Sequence, residues 1–391
     1  MNFFKQRLLW IGVAGVTVLA IVFGLALMGS IAGAKPKEVP VALAVLDQGA
    51  QAGGGQELNA GQMIRENLLA LKGLPVSWQV VSSEEEARAA IDRQDVYGAL
   101  IIPADLSQGL LSLASPNPKP AALKILVNEG SNAQAALLVQ QVLGQAADTI
   151  GAELAGQVLA MAGQQTGQVP VEVAKALLAP VTVEKESLHA AGANNAGGNA
   201  PTMLIQVTWL GSLFAGVFLF LAGRKAKEAG SGSWAALSGQ AIAGLLLMPA
   251  VSGLLVWMAS SWYGMEMARG DVWLYLWLTG TAFFLLQSAL LNLIGVPAVG
   301  LLALLFFFSM PVLNLAPEFL PDATKDWLYS WTPLRYAAQG LRSLMYFGGE
   351  GRLADSRAVL WWLAGICFAV LLASGLLPRK APASGRAQAL S

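Results

Sequence analysis

Residues 301–347 read LLALLFFFSMPVLNLAPEFLPDATKDWLYSWTPLRYAAQGLRSLMYF. The first part is an apolar run of helix length, and the chain breaks at Pro321. The remainder is too charged to cross a bilayer and too apolar to lie free in water. Within it Trp327, Leu328, Trp331, Leu334, Tyr336, Leu341, Leu344 and Met345 recur at spacings of one to five, interrupted by Pro333. Read as two short helices at a membrane surface, over 321–348, each has an apolar side and a polar side. A spanning helix that leads into a broken amphipathic hairpin, ahead of a last span, suits a transport pore or its lid. A plain anchor has no need of one.

On either side of this stretch the sequence is organised in apolar spans. From 272 to 317 no charge occurs, which is too long for one helix and right for two, 272–293 and 297–316. Their turn is expected near Asn292, Gly295 and Pro297. Earlier runs over 202–223 and 234–260 each span, the second with a kink expected at Pro249, and an outer turn follows with Glu266, Arg269 and Asp271. A last span covers 358–378. At the other end Lys5 and Arg7 precede an uncharged run over 8–34, long enough for hydrocarbon about 30 Å thick. Its Ala32-Gly33-Ala34 end has the small-x-small form of a cleavage site. The run exceeds the roughly 7–15 apolar residues of a signal peptide, so an uncleaved anchor is expected.

These runs make an α-helical polytopic membrane protein of six transmembrane helices, one and then five, with an extracytoplasmic α/β domain inserted after the first. Placing both ends inside puts eight basic residues there (Lys5, Arg7, Arg224, Lys225, Lys227, Arg379, Lys380, Arg386) against one acid, Glu228. Outside lie 16 basic and 23 acidic residues, the positive-inside pattern. Trp209, Trp234, Trp257, Trp262, Trp273, Trp327 and Trp331 fall at expected span ends, as interfacial aromatics do.

Residues 35–200 read as water-soluble. Strand-like runs at 39–46, 76–81, 97–102 and 123–127 alternate with helical spacing at 61–72 and a short helix to Asp92, for which Ser82 and Glu85 form a capping box. A long Ala/Gln/Leu-rich run over 131–161 reads as a helix, and the Gly/Asn/Ala stretch 190–200 as a flexible joint. Alternating strands and helices predict a small α/β sheet.

Composition removes several classes of function. The 391 residues are 55% hydrophobic and 12% charged, about half the charged share of a soluble domain. One cysteine, Cys367, in an apolar run and one histidine, His189, leave no disulfide framework and no multi-histidine metal chemistry. No basic block suits nucleic acid. No G-x-x-x-x-G-K-[ST] phosphate loop occurs; Gly53-Gly54-Gly55 lacks the following lysine and reads as a surface loop. Glu84-Glu85-Glu86 reads as a solvated first helical turn. His189 reads as an exposed linker histidine, and no catalytic constellation is present. Inside the spans the polar residues are Gln206, Gln240, Gln287, Asn292 and Asn314, suited to interhelical hydrogen bonds or, less readily, to a substrate path. Because no span carries an acid or base, ion-coupled transport lacks a site, which points to energy supplied by another subunit.

Three features together resemble the membrane subunits of type-2 ATP-binding-cassette exporters, in particular the phage-infection-protein-like branch. One is the order of one span, an outer domain and five spans. Another is LPDATKDWLYSWTPLRYAAQGLRSLMYFGG, similar to the family's outer re-entrant helices with their leucine-proline opening at Pro321, then Trp331 and the P-x-x-Y-x-x-x-G-x-R core of Pro333, Tyr336, Gly340 and Arg342. The third is HAAGANNAGGNAPTMLIQVTWLGSL, the glycine-rich, Ala-Pro approach to the second span. The outer domain is similar too, in VPVALAVLDQGA, YGALIIPADLSQGL and LKILVNEGSN. The resemblance implies a permease that pairs as a homodimer or heterodimer with a second permease and works with a separate cytoplasmic ATPase. ATP would bind that subunit and no cofactor this one. It further implies that Arg224, Lys225, Lys227 and Glu228 form the ATPase-docking loop, and that Glu318, Asp322 and Arg342 lie at the outer mouth. The cargo would be amphiphilic or hydrophobic. The other reading is a non-transporting scaffold or surface receptor whose outer domain binds a partner.

Overall fold

Val39–Val45 is apolar on both faces, so it suits the middle of a sheet covered on two sides. The structure, a computed structural model, describes residues 35–52, 56–71, 73–113, 119, 121–166 and 181–376. Run 8–34 with its cleavage question, Lys5 and Arg7, Gly53-Gly54-Gly55, and the tail with Arg379, Lys380 and Arg386 lie outside the described residues. In the sheet, β1 (Val39–Val45) pairs in parallel with β4 (Val76–Val81) on one side and β5 (Gly98–Ile102) on the other. A short antiparallel pair, β2 (Ala50–Ala52) and β3 (Gln56–Leu58), stands apart. The five strands run in the order β4-β1-β5-β6-β7, with β5 antiparallel to β6 (Ala121–Asn128) and β6 parallel to β7 (Val181–Leu188).

Alternation along β1 sends Val39, Val41 and Leu43 to one face and Ala42 and Ala44 to the other. The first face is covered by α1 (Ala60–Ala70), α3 (Leu106–Ser112) and α4 (Ala133–Thr166), the second by α2 (Glu84–Asp92). Asp47, just past β1, accepts backbone N–H bonds from Gly61 and Ser107, each 2.9 Å, so one carboxylate caps the starts of both α1 and α3. The cap of α2 is Ser83, not Ser82. Its hydroxyl accepts from the Glu86 N–H, and the Glu86 carboxylate reaches back to the Ser82 N–H at 2.8 Å, so the box is shifted by one residue.

Strand β7 was not expected, because Glu184, Lys185 and Glu186 interrupt its apolar alternation. It holds the sheet edge through eight paired residues and through charge. Glu186 meets Arg88 and Lys124, which also meet Glu84. The reading of Glu84 as merely solvated is therefore corrected: it is one corner of this ion cluster. The stretch 190–200 is not a free joint either. Asn195 Nδ2 bonds the carbonyls of Ala191 and Glu266 at 2.7 and 3.1 Å, and Asn194 bonds that of Gly264. This fastens it to the loop before the third apolar helix.

Beyond that turn come five helices long and apolar enough to cross a membrane. They are α5 (Ala200–Glu228), α6 (Ser233–Ser261), α7 (Arg269–Ile294), α8 (Pro297–Asn314) and α10 (Leu353–Ala373), with α9 (Pro333–Tyr346) between the last two. Helix α7 is central: α5, α6, α8, α9 and α10 all pack on it. Trp209 and Phe283 meet edge to face at 4.9 Å, and Phe284 fills the space that a side chain at Gly244 would need. At the rim, a Cβ on Gly340 would stand 2.1 Å from the Tyr275 hydroxyl. Glycine there lets α9 settle on α7, with that hydroxyl donating to the Ala337 carbonyl at 3.1 Å.

Two outcomes follow from these contacts. In thermal unfolding of the purified chain, Gly340→Ala is expected to destabilise by about 1–3 kcal/mol through overpacking, and adding Tyr275→Phe should recover part of it; no loss, or no recovery, contradicts the seat described. For β7, hydrogen bonding from Arg88 holds the Glu186 carboxyl at about 2, below its usual 4.5. A depressed folded value stabilises above the unfolded one, and that stability is lost as pH falls from 4.5 towards 2. Glu186→Gln should therefore lower stability at pH 7 by about 0.2–1 kcal/mol, the range for a screened, partly exposed pair. The difference from wild type should close as the sample is acidified.

Candidate functional site

Helix α8 ends at Asn314, and the chain then crosses under the sheet domain rather than running into solvent. Ala316 and Phe319 join the apolar core of the sheet domain, with Leu315 against it. Between Ala316 and Phe319, Glu318 is held twice: its carbonyl accepts from the Lys37 N–H at 3.1 Å, and its carboxylate from the Tyr97 hydroxyl at 2.8 Å. Burial raises the Tyr97 pKa well above its ordinary value, so at neutral pH the phenol keeps the proton it donates. Pro321 then opens a three-residue helical turn, Asp322–Thr324, and a π-type turn, Lys325–Tyr329, follows.

Pro333 is the first residue of α9, where its fixed φ and missing N–H cost nothing. The helix is two-faced. Leu334, Ala337 and Leu341 are fully buried in the core of the helix bundle. Arg335, Gln339 and Arg342 line a cavity of about 360 Å³ against the sheet domain, which contributes Gln94, Asp95 and Tyr97. The Arg335 guanidinium lies over the rings of Tyr329 and Tyr336, 4.2 and 3.9 Å from their centroids. The Arg342 Nη2 reaches Thr202 Oγ1 of α5 at 3.4 Å, and its Nε has no partner among the described residues. Burial works against the Arg342 charge and lowers its pKa; it also pushes the Tyr346 phenol up to about 12.

Of the expected rim residues, Pro333, Tyr336, Gly340 and Arg342 lie on one helix but are divided between its faces, whereas Pro321 and Trp331 precede it. Gly340 meets α7 and α10, through Tyr275 and Ser356, and Arg342 meets the cavity. Tyr336 supports the Arg335 guanidinium and bonds the Ser330 carbonyl at 3.1 Å. Trp331 is 55% exposed and borders, with Pro333, an apolar hollow of about 340 Å³. Asp322 shares a separate cleft with Glu318 and Lys325.

The polar residues of the spans do not converge on one point, though two of them, Gln206 and Asn314, share Met310 as partner. Gln206 Nε2 reaches Met310 Sδ, Gln287 Nε2 the Trp209 carbonyl, Asn292 Nδ2 the Gln240 Oε1, and Asn314 Nδ2 the Met310 carbonyl, at 3.1, 3.2, 3.1 and 2.8 Å. At the far end of α5, Arg224 and Glu228 stand 4.0 Å apart and exposed, with Lys225 exposed between them and Lys227 on the same last turn. At 1.5 Å per residue this turn is about 35 Å along the helix from Thr202.

Sequence reasoning missed the fastening between domain and rim. His189 is not an exposed linker residue. Its ring nitrogens lie 3.0 Å from the Tyr346 carbonyl and 2.8 Å from Asp92 Oδ1, and its ring stacks on Phe347 at 4.2 Å. Gln94 Nε2 donates to Ser343 Oγ at 3.0 Å, a contact 249 residues apart in sequence. No local signal could have found either. Among the described residues no group of three His, Cys, Asp or Glu side chains is placed to hold a metal ion.

A comparison with curated proteins returns no match. Among solved structures, the chain is similar to a crystallised domain, from Thermotoga maritima MSB8, of a protein described as an ABC type-2 transporter. The identity is 18% and the TM-score 0.28, over 38% of this chain and 84% of that one; a likeness so slight carries no weight for fold or function. The family comparison is of a different order: the model of the ABC-2 family transporter proteins matches residues 7–376. Apolar helices, an α/β domain ahead of them and a family match over nearly the whole length agree, and the chain belongs to the ABC-2 family of transporter proteins.

Proposed function

We propose that this membrane permease is the transport half of an exporter driven by ATP hydrolysis on a separate subunit, moving an amphiphilic or hydrophobic substrate outward. The observation that carries the reading is the layout of α5. One end presents the turn of Arg224, Lys225, Lys227 and Glu228, all exposed but the half-buried Lys227, and the other touches the rim helix through Thr202 and Arg342. A stiff helix that separates the two by about 35 Å is suited to pass a push at one end to a lid at the other. In this reading residues 35–200 lie outside the cell, the run 8–34 is a sixth span, both termini are cytoplasmic, and two permeases pair as a homodimer or heterodimer. The phage-infection-protein-like branch is the nearest fit, on the layout of spans and outer domain. Support for an apolar cargo comes from the hollow lined by Leu290, Leu302, Leu305, Trp331 and Leu363, almost free of polar atoms.

The docking turn gives a direct test. Reversing Lys225 and Lys227 together to Glu leaves the bundle core untouched, so the purified variant should unfold at the wild-type temperature. In mild detergent it should recover at least about tenfold less co-purifying ATPase, since two favourable charge contacts become repulsive. Retention of the ATPase at wild-type level, or repeated wild-type preparations with no ATPase present, would overturn the proposal.

A further inference from the structure

The cavity between the sheet domain and α9 holds more positive charge than its own acids balance. Arg335, Arg342 and Arg352 line it, against Asp95 and Glu318. Asp95 is paired off the cavity, and Glu318, hydrogen-bonded yet still charged, offsets one of the three cations. Asp95 Oδ2 is 2.9 Å from the Nε of Arg93, which lies off the cavity, and Glu318 accepts the Tyr97 hydroxyl at 2.8 Å. Among the described residues neither acid makes an ion pair with any of the three arginines.

Two of these guanidinium groups are held in place yet short of acceptors. Among the described residues the polar contact of Arg342 is the long 3.4 Å one to Thr202, and the Nε atoms of Arg342 and Arg335 are both buried without a partner. Stacking between Tyr329 and Tyr336 uses the faces of the Arg335 group, which leaves its in-plane N–H edge to donate elsewhere. Water entering the cavity would satisfy donors but would not neutralise charge, and an unmatched buried cation is costly. A phosphate does both, because its oxygens match the forked edge of a guanidinium. Gln339 and Gln94, also on the wall, donate one amide N–H each to the Tyr329 hydroxyl and Ser343 Oγ, which leaves the second N–H of each for its remaining oxygens.

We infer that this interdomain cavity is a binding site for a phosphate-bearing ligand, with Arg342 as its main charge partner, Arg335 as its second, and the sheet domain closing the far wall. The phosphate is either free in solution or the headgroup of an anionic phospholipid at the foot of the sheet domain. The inference needs no statement about cargo or direction of transport, since binding is read on the chain alone, and its failure leaves the transport proposal standing.

The test uses the full chain purified in a neutral detergent. Inorganic phosphate is titrated by calorimetry, and phosphatidylglycerol and phosphatidylcholine of equal chain length are compared by native mass spectrometry. Saturable phosphate binding assigns the free anion. A preference for one phosphatidylglycerol per chain over phosphatidylcholine assigns the headgroup. In either case Arg342→Gln and Arg335→Gln should each weaken binding by about tenfold or more, the value of a charge-assisted contact. Arg342→Lys should fall between, having charge without the fork. A wild-type chain that binds neither probe overturns the inference, as do glutamine variants that bind like wild type. Should Arg342→Gln fail to elute as a folded species, the Arg335→Gln comparison decides.

Discussion

The missing side chain at Gly340 is what allows the rim of this protein to exist. Only with a bare Cα there does the Tyr275 hydroxyl fit beneath α9 and bond the Ala337 carbonyl. That contact seats a short amphipathic helix on α7, the helix on which the other apolar helices pack. Once α9 is seated, its turn geometry decides the rest. Residues 334, 337 and 341 face the bundle, so 335, 339 and 342 must face away from it. The sheet domain is then fastened to the end of the same helix through Gln94–Ser343 and His189–Tyr346.

Polar groups in the two halves obey different rules. In the sheet domain, charges sit at the water-facing edge, and the Glu84, Arg88, Lys124 and Glu186 cluster joins α2 to β6 and β7. In the bundle amide contacts cross between helices, as from Gln287 to the Trp209 carbonyl and from Asn292 to Gln240, while Gln287 Oε1 and Gln240 Nε2 are buried without a partner among the described residues. Gly244 and Gly280 bring α6 and α7 close, through contacts with Phe284 and Met248. At the rim the two regimes meet, and there Arg335 and Arg342 share a cavity with Glu318 without an ion pair to it among the described residues.

Much of the architecture could be read from the residues themselves, because uninterrupted apolar runs and their bounding charges are local signals. The runs behind α5 to α8 and α10 belong to this class, as does Pro333 at the start of α9. Other features were hidden because they depend on distant partners. Strand β7 looks too charged to be a strand until Arg88 and Lys124 are placed beside Glu186. The cap of α2 slipped by one residue because Ser82 and Ser83 are equally good candidates, and only the backbone geometry chooses between them. The motif residues Gly340 and Arg342 were legible as a pair but not in their roles, since helix geometry turns residues two apart to nearly opposite faces while only the seated helix decides what each face meets.

The central claim is that the sheet domain and α9 lie on one side of the bilayer and the Arg224–Glu228 turn on the other. A membrane-impermeant maleimide applied to intact cells tests it directly. Single cysteines would be placed at Leu69 on the sheet domain and at Ala229 beside the turn, both exposed, with Cys367 replaced by serine. Labelling at position 69 in intact cells, with position 229 reacting only after permeabilisation, is the expected result. The reverse pattern, or equal labelling of both before permeabilisation, would contradict it.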